Sequence, residues 1–244
     1  MSGAARTKVG LSIKEGPRTK ESQYEDCLVV DETVGRARFG VMSNQVWHDD
    51  PKRLAFVLAR YKFAAKMLAG LPKVLEVGCA DAFASRLVRA EVGHLTATDI
   101  DPIFIADAEA RQDPNWPLEM KVHDMLSGPC PGPDGSTFDG AYSLDVLEHI
   151  PAAEEERFVG NIAASLTPHG VFLVGMPSLS SQAYASPQSK AGHINCKHAP
   201  ELKQLMQKFF RNVFLFAMND EMVHTGFHAM AHYHLALCCT PKHG

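Results

Sequence analysis

Three carboxylates and one glycine mark the chemistry in the first half of this chain. In VLEVGCADA (74–82) an apolar run closes on Glu76 and Gly78. Asp99 follows Glu76 by 23 residues at the end of HLTATD, and Asp124 ends LEMKVHD. A carboxylate at the end of a second strand can accept hydrogen bonds from both hydroxyls of a ribose. One ending a third strand lies along the same edge, where it can meet an adenine amino group. Ala80 and Ala82 stand where a dinucleotide loop has glycines. Such loops need the second glycine because a pyrophosphate presses on the backbone there. A nucleoside without phosphates makes no such demand, so the alanines are information about the ligand.

Those residues need elements to hold them. DDPKRLAFVLARYKFAAKMLAG (49–70) reads as a helix: Pro51 suits a first turn capped by Asp49 or Asp50, and Leu54, Val57, Leu58, Tyr61, Ala65 and Leu68 recur at helical spacing. Strands and helices then alternate. Strands are expected at 73–77, 94–99, 118–124, 138–144 and 170–177, and helices at 80–91, 102–111 and 152–166. Asp101 is read as a helix cap before Pro102, and Asp139 as a structural residue. Alternation of this kind implies right-handed βαβ units and a parallel sheet. After Pro177 a polar loop (178–198) leads to a helix, APELKQLMQKFF, and to two β-like runs, RNVFLFAM and AMAHYHLALCC. About ten residues separate those runs, which suits an antiparallel pair.

The totals narrow the function classes. The 244 residues suit one large α/β domain, and 45% hydrophobic with 21% charged residues is ordinary globular usage. A net charge of −4 argues against a nucleic-acid partner. The polar N-terminal stretch has no apolar core of a signal peptide, and no run approaches the ~18 apolar residues of a membrane span. The first 25 or so residues read as a mobile tail. Six cysteines include no C-x-x-C pair, which points to a reducing, cytoplasmic setting; Cys238 and Cys239 would face opposite sides of a strand. His224, His228, His232 and His234 form a cluster in which His232 and His234 are expected to share one face of the sheet as core histidines.

The ordered series VLEVGCADA, TATDIDP, KVHDM, FDGAYSLDVLEHIP and LTPHGVFLVGMP resembles the class I S-adenosylmethionine-dependent methyltransferases, in the small-molecule branch with D-x-L-E-H-x-P after the fourth strand. The resemblance covers roughly residues 51–240. It implies an α/β, Rossmann-like doubly wound sheet of seven strands, mostly parallel with a C-terminal antiparallel hairpin, and helices on both faces. It makes 51–244 a single methyltransferase domain and 1–50 a tail with a cleft-capping segment. It puts Glu76, Gly78, Cys79 and Ala80 around the methionine part of S-adenosylmethionine, Asp99 and Ile100 at the ribose, Asp124 and Met125 at the adenine, and Ser143 and Leu144 near the sulfonium. The family often has glycine at the position of Ala80.

Methyl transfer to a hydroxyl is helped by a general base, and histidine suits neutral pH. His149 in DVLEHIP and His193 in AGHINCKHAPEL are the candidates; the alternatives are a histidine bracing the next helix and a solvated loop histidine. Some relatives with E-x-x-E-H and a downstream histidine hold a divalent cation. The resemblance therefore admits a divalent cation, without requiring one, on Asp145, Glu148, His149 and His193. An N-terminal helix caps the cofactor cleft in related enzymes, so the resemblance makes Trp47, Arg53, Tyr61 and Lys62 a further candidate lining; the alternative is a helix with a solvated basic face. The expected activity is O-methylation of a small metabolite or sugar-like hydroxyl. The rivals are an inactive binder of the same cofactor and an NAD-dependent dehydrogenase; the latter would need the missing glycines. Oligomeric state and acceptor are not written in the sequence.

Overall fold

The structure is a computed structural model and describes residues 18–243; the first 17 residues of the expected tail lie outside the described residues. The chain divides into two compact units at Arg38/Phe39. In the first, a turn of 3-10 helix leads into α1 (Glu25–Thr33), which has no buried residue, and Arg36 pairs with Asp31. Sequence reading did not anticipate α1, because its apolar residues follow no helical stripe.

The second unit begins with α2 (Val41–Asp49) and α3 (Pro51–Met67). Asp50 caps α3 by accepting from the Lys52 amide, with Pro51 in the first turn as expected. There follow β1 (Lys73–Val77), α4 (Ser85–Arg89), β2 (His94–Asp99), α5 (Pro102–Glu109), β3 (Glu119–Val122) and β4 (Phe138–Leu144). Then come α6 (Glu155–Ala164), β5 (Leu166–Pro177), α7 (Pro187–Gly192), α8 (Ala199–Phe209), β6 (Phe210–Asn219), β7 (Met222–His224) and β8 (Tyr233–Pro241). Asp101 caps α5 through the Ile103 amide, and Asp139 accepts from the Lys73 amide, both in structural roles.

One eight-stranded sheet runs β3-β2-β1-β4-β5-β8-β6-β7. The expected count was seven; the extra strand is β7, three residues folded back on the end of β6. β1 to β5 are parallel, while β8 enters antiparallel between β5 and β6. Helices cover both faces. Tyr61, Ala64, Ala65 and Leu68 of α3 and Val88 of α4 pack on Val74, Tyr142, Leu173 and Leu235. Phe158, Val159 and Ile162 of α6 and Leu202, Leu205 and Met206 of α8 pack on Leu75, Ala141, Phe172 and Ala236. Burial of each such side chain contributes about 1.5–3 kcal/mol, enough to hold the short helices in place. The strand order turns about β1 and β4; in such sheets the crevice outside the carboxyl ends of the strands at that point is the usual place for a ligand.

Candidate active site

The turn after β1 carries the first surprise. The expected helix over 80–91 starts only at Ser85, because Gly78, Ala80 and Ala82 have φ of 80°, 46° and 51°. The alanines therefore keep the left-handed backbone of the glycines they replace, at roughly 1–2 kcal/mol each. Asp99 offsets part of that cost: its Oδ2 accepts from the Ala80 amide at 2.8 Å and its Oδ1 from the Asp101 amide at 3.0 Å. Each oxygen keeps further acceptor capacity. Gly78 is fixed by space as well as by φ, since a Cβ there would lie 2.2 Å from Val146 Cγ2. Ile100 is 70% exposed beside Asp99, whereas the Cys79 side chain is buried.

Glu76 does not reach an open surface. It is buried on the α3 side of the sheet, where its Oε1 accepts from the Tyr61 hydroxyl at 2.8 Å. Its Oε2, Ser85 Oγ and the Tyr142 hydroxyl are buried without a partner at bonding distance. Burial pushes the carboxyl up to about 7, against the pull of the nearby Ser85, Tyr142 and Tyr61 hydroxyls. Tyr61 is thus a buried support beneath the loop.

Asp81, between the two strained alanines, grips α2. The Ser43 amide donates to Oδ2 at 2.6 Å and the Ser43 hydroxyl to Oδ1 at 3.0 Å. The Val41 amide donates to Asp107, and Arg111 ties Asp107 to the Asp81 carbonyl. The Phe39 ring packs at a tilt against both Phe83 and Trp47, with centres 5.0 and 5.5 Å apart. Trp47 so belongs to the contact between α2 and the loop. Arg53 instead pairs with Asp49, and Lys62 lines a groove of about 780 Å³ outside α3 with Phe56, Leu87 and Asp220.

At the end of β4, Ser143 donates to the Val77 carbonyl and locks the two strand ends together, while Leu144 is buried against α3. Asp145 turns with φ 60°, and both its oxygens receive Arg60 Nη1, at 2.9 and 2.7 Å. The Arg60 guanidinium also lies 3.9 Å from the centre of the Tyr233 ring. This corrects the expected ligand set: Asp145 is taken by an arginine. The other three candidates do meet, with one donor atom each of Glu148, His149 and His193 within 4.8 Å of one another. A turn of 3-10 helix (Leu147–His149) presents the first two. The His193 segment is held by Asn195, whose amide donates to the Glu148 carbonyl and whose side chain bonds Glu155, itself paired with Lys197.

The two imidazoles meet edge to face, with ring centres 5.2 Å apart and planes inclined at 65°. His149 Nδ1–H donates to the Gly192 carbonyl and His193 Nδ1–H to Gln182 Oε1, which leaves each Nε2 with a lone pair. Burial, then the neighbouring His149, holds His193 below the ordinary imidazole value. Glu148 is fully buried and neither of its carboxylate oxygens has a partner. Burial first, and Asp145 second, push it well above the carboxylate range. A buried carboxylate with two idle oxygens beside two anchored imidazoles fits a divalent cation.

The remaining candidates are scattered. The Asp124 side chain is exposed and accepts from the Leu126 amide, while Met125 is buried in the α6 core. Only His234 of the histidine cluster is buried; His232 is exposed just before β8, so the two do not share a core face. Cys238 and Cys239 are unpaired, the first buried and the second half-buried. Sequence reading missed Arg60 and Asp81. Arg60 had a signal, lying three residues after Val57 and four before Ala64 on the inward stripe of α3.

A family profile described as a methyltransferase domain matches residues 46–210. Solved structures share the fold at low identity. The N-methyltransferase NodS from Bradyrhizobium japonicum WM9, in complex with S-adenosyl-L-homocysteine, is 17% identical with a TM-score of 0.56, over 80% of this chain and 91% of that one. DhpI in a complex with SAM and HEP is 18% identical with a TM-score of 0.56, over 80% and 89%. The methyltransferase domain of the bacterial CtHen1-C is 11% identical with a TM-score of 0.60, over 77% and 100%. No curated protein sequence matches the chain. With two thirds of its length under that profile and a class I sheet order, the chain belongs to the methyltransferase-domain family.

Proposed function

We propose that this protein transfers the methyl group of S-adenosylmethionine to an oxygen of a small-molecule acceptor. The observation that carries the reading is the turn 78–82 at the mouth of the β1/β4 crevice, clasped by Asp99. Its two alanine methyl groups stand where a pyrophosphate would need bare backbone, which suits a nucleoside without phosphates. NodS in complex with S-adenosyl-L-homocysteine and DhpI in complex with SAM and HEP support the same cofactor. The bound cofactor supplies an electrophilic methyl group; the chain's task is to hold the acceptor in line and to remove its proton.

His193 and His149 are suited to that removal, with rings anchored through Nδ1. A second reading adds a divalent cation on Glu148, His149 and His193, favoured by the two unpartnered oxygens of Glu148. Such an ion lowers the pKa of a hydroxyl it binds. The dehydrogenase reading lacks the glycines, and an inactive binder is distinguished by turnover alone.

Calorimetry with S-adenosylmethionine tests the cofactor. Asp99→Ala is expected to weaken binding roughly tenfold to a hundredfold, the worth of charged hydrogen bonds. Unchanged affinity, or a wild type that takes a nicotinamide dinucleotide instead, overturns the proposal. Transfer of labelled methyl to hydroxylated metabolites, with and without chelator, then separates enzyme from binder and ion-assisted from imidazole-only chemistry.

A further inference from the structure

We infer that Arg60 is a positioning residue that withholds Asp145 from the cation site and so fixes that site at three protein ligands. The inference rests on the cation reading above and goes beyond it in explaining the idle acid. The segment D-V-L-E-H offers two carboxylates three residues apart, Asp145 and Glu148, followed directly by His149. Both Glu148 oxygens are without a hydrogen-bond partner, whereas those of Asp145 are both engaged by one nitrogen of Arg60, which puts a positive charge against them. That contact is built into the fold. Arg60 comes from α3, its side chain is 18% exposed, and its guanidinium is stacked on Tyr233, a fully buried residue of β8. Asp145 is fixed from its own side by a left-handed φ and by its amide, which donates to the Gly175 carbonyl. A carboxylate clamped between two such anchors cannot swing to an ion without leaving a buried guanidinium unpaired, a costly exchange.

The consequence is a cation site of reduced affinity with more of its coordination left to acceptor and water. One carboxylate is removed from the ligand set, and a fixed positive charge stands behind it. Arg60 thereby trades tightness of the ion for room to bind an acceptor through it.

The test is Mn²⁺ binding to the full chain, read from loss of the free-ion electron paramagnetic signal. Wild type is expected to bind and His193→Ala to lose that binding. Arg60→Gln, which releases Asp145, should bind roughly tenfold more tightly, and adding Asp145→Asn to it should abolish the gain. Asp145→Asn alone leaves the Arg60 charge uncompensated beside the site and is expected to weaken binding, by less than His193→Ala does. A gain in affinity cannot arise from a damaged fold, and the double variant removes both charges together should Arg60→Gln alone not fold. If wild type binds Mn²⁺ in a His193-dependent way but Arg60→Gln brings no Asp145-dependent gain, the role of Arg60 is refuted and the cation site stands. Asp145→Asn weakening binding as severely as His193→Ala also refutes it. No Mn²⁺ binding by wild type refutes both.

Discussion

Single residues in this chain do work that their types alone disguise. Glu76 belongs to the cofactor motif by sequence, yet it is a buried acid bonded to Tyr61 under the loop. Its raised value, about 7 against 4.5 for a free glutamate, means that the folded protein keeps a proton the unfolded chain gives up. The stabilising contribution is complete below pH 4.5 and is lost as pH rises towards 7, by roughly 3 kcal/mol in all. Glu76→Gln keeps an acceptor for Tyr61 and cannot ionise. Urea unfolding at pH 5 and pH 8.5 should show the wild type losing stability relative to the variant by an amount of that order. Parallel pH dependence in the two proteins would show that Glu76 carries no such charge.

Elements combine such residues into devices. The cofactor loop and α2 form one, joined where Asp81 receives both the amide and the hydroxyl of Ser43. The carboxylate occupies the first turn of a helix, where unpaired amides and the helix dipole favour negative charge. Asp81→Ala removes this grip and leaves the Val41 bond to Asp107 and the Phe39 contacts with Phe83 and Trp47 to hold the start of α2. Hydrogen exchange should then quicken about tenfold across 41–49, as a loss of ~1.4 kcal/mol implies, with β1 amides unaffected. Equal protection of α2 in variant and wild type would place its anchor elsewhere. The loop that bears His193 is a second device, stitched to α6 through Asn195, Lys197 and Glu155. It brings together residues 44 positions apart in the chain, His149 and His193.

At the scale of the molecule, β8 completes the sheet. It pairs with β5 on one side and β6 on the other, and Tyr233, Leu235, Ala236 and Cys238 supply both cores. A chain ending before Tyr233 would leave two long strand edges unpaired and remove the ring beneath Arg60. Circular dichroism of that truncation should show no cooperative thermal transition; a sharp one would mean that the parallel half folds alone.

The sequence by itself determined the alternation of strands and helices, the cap at Asp101, a cap for α3 at Asp49 or Asp50, and the strand ends that carry Gly78, Asp99 and Ser143. These follow from periodicity and from side chains acting on their near neighbours, which are local effects. Seven of the eight strands were legible for that reason, and β7 was not, since three residues at an edge carry too little pattern. Tertiary structure alone decided that Ala80 and Ala82 take the glycine backbone, because the Asp99 carboxylate that holds the turn comes from the next strand. It alone decided that Asp145 goes to Arg60 and leaves Glu148 to the two histidines. The allocation of a charge depends on which partner reaches it first in a buried space, and that partner lies 85 residues away.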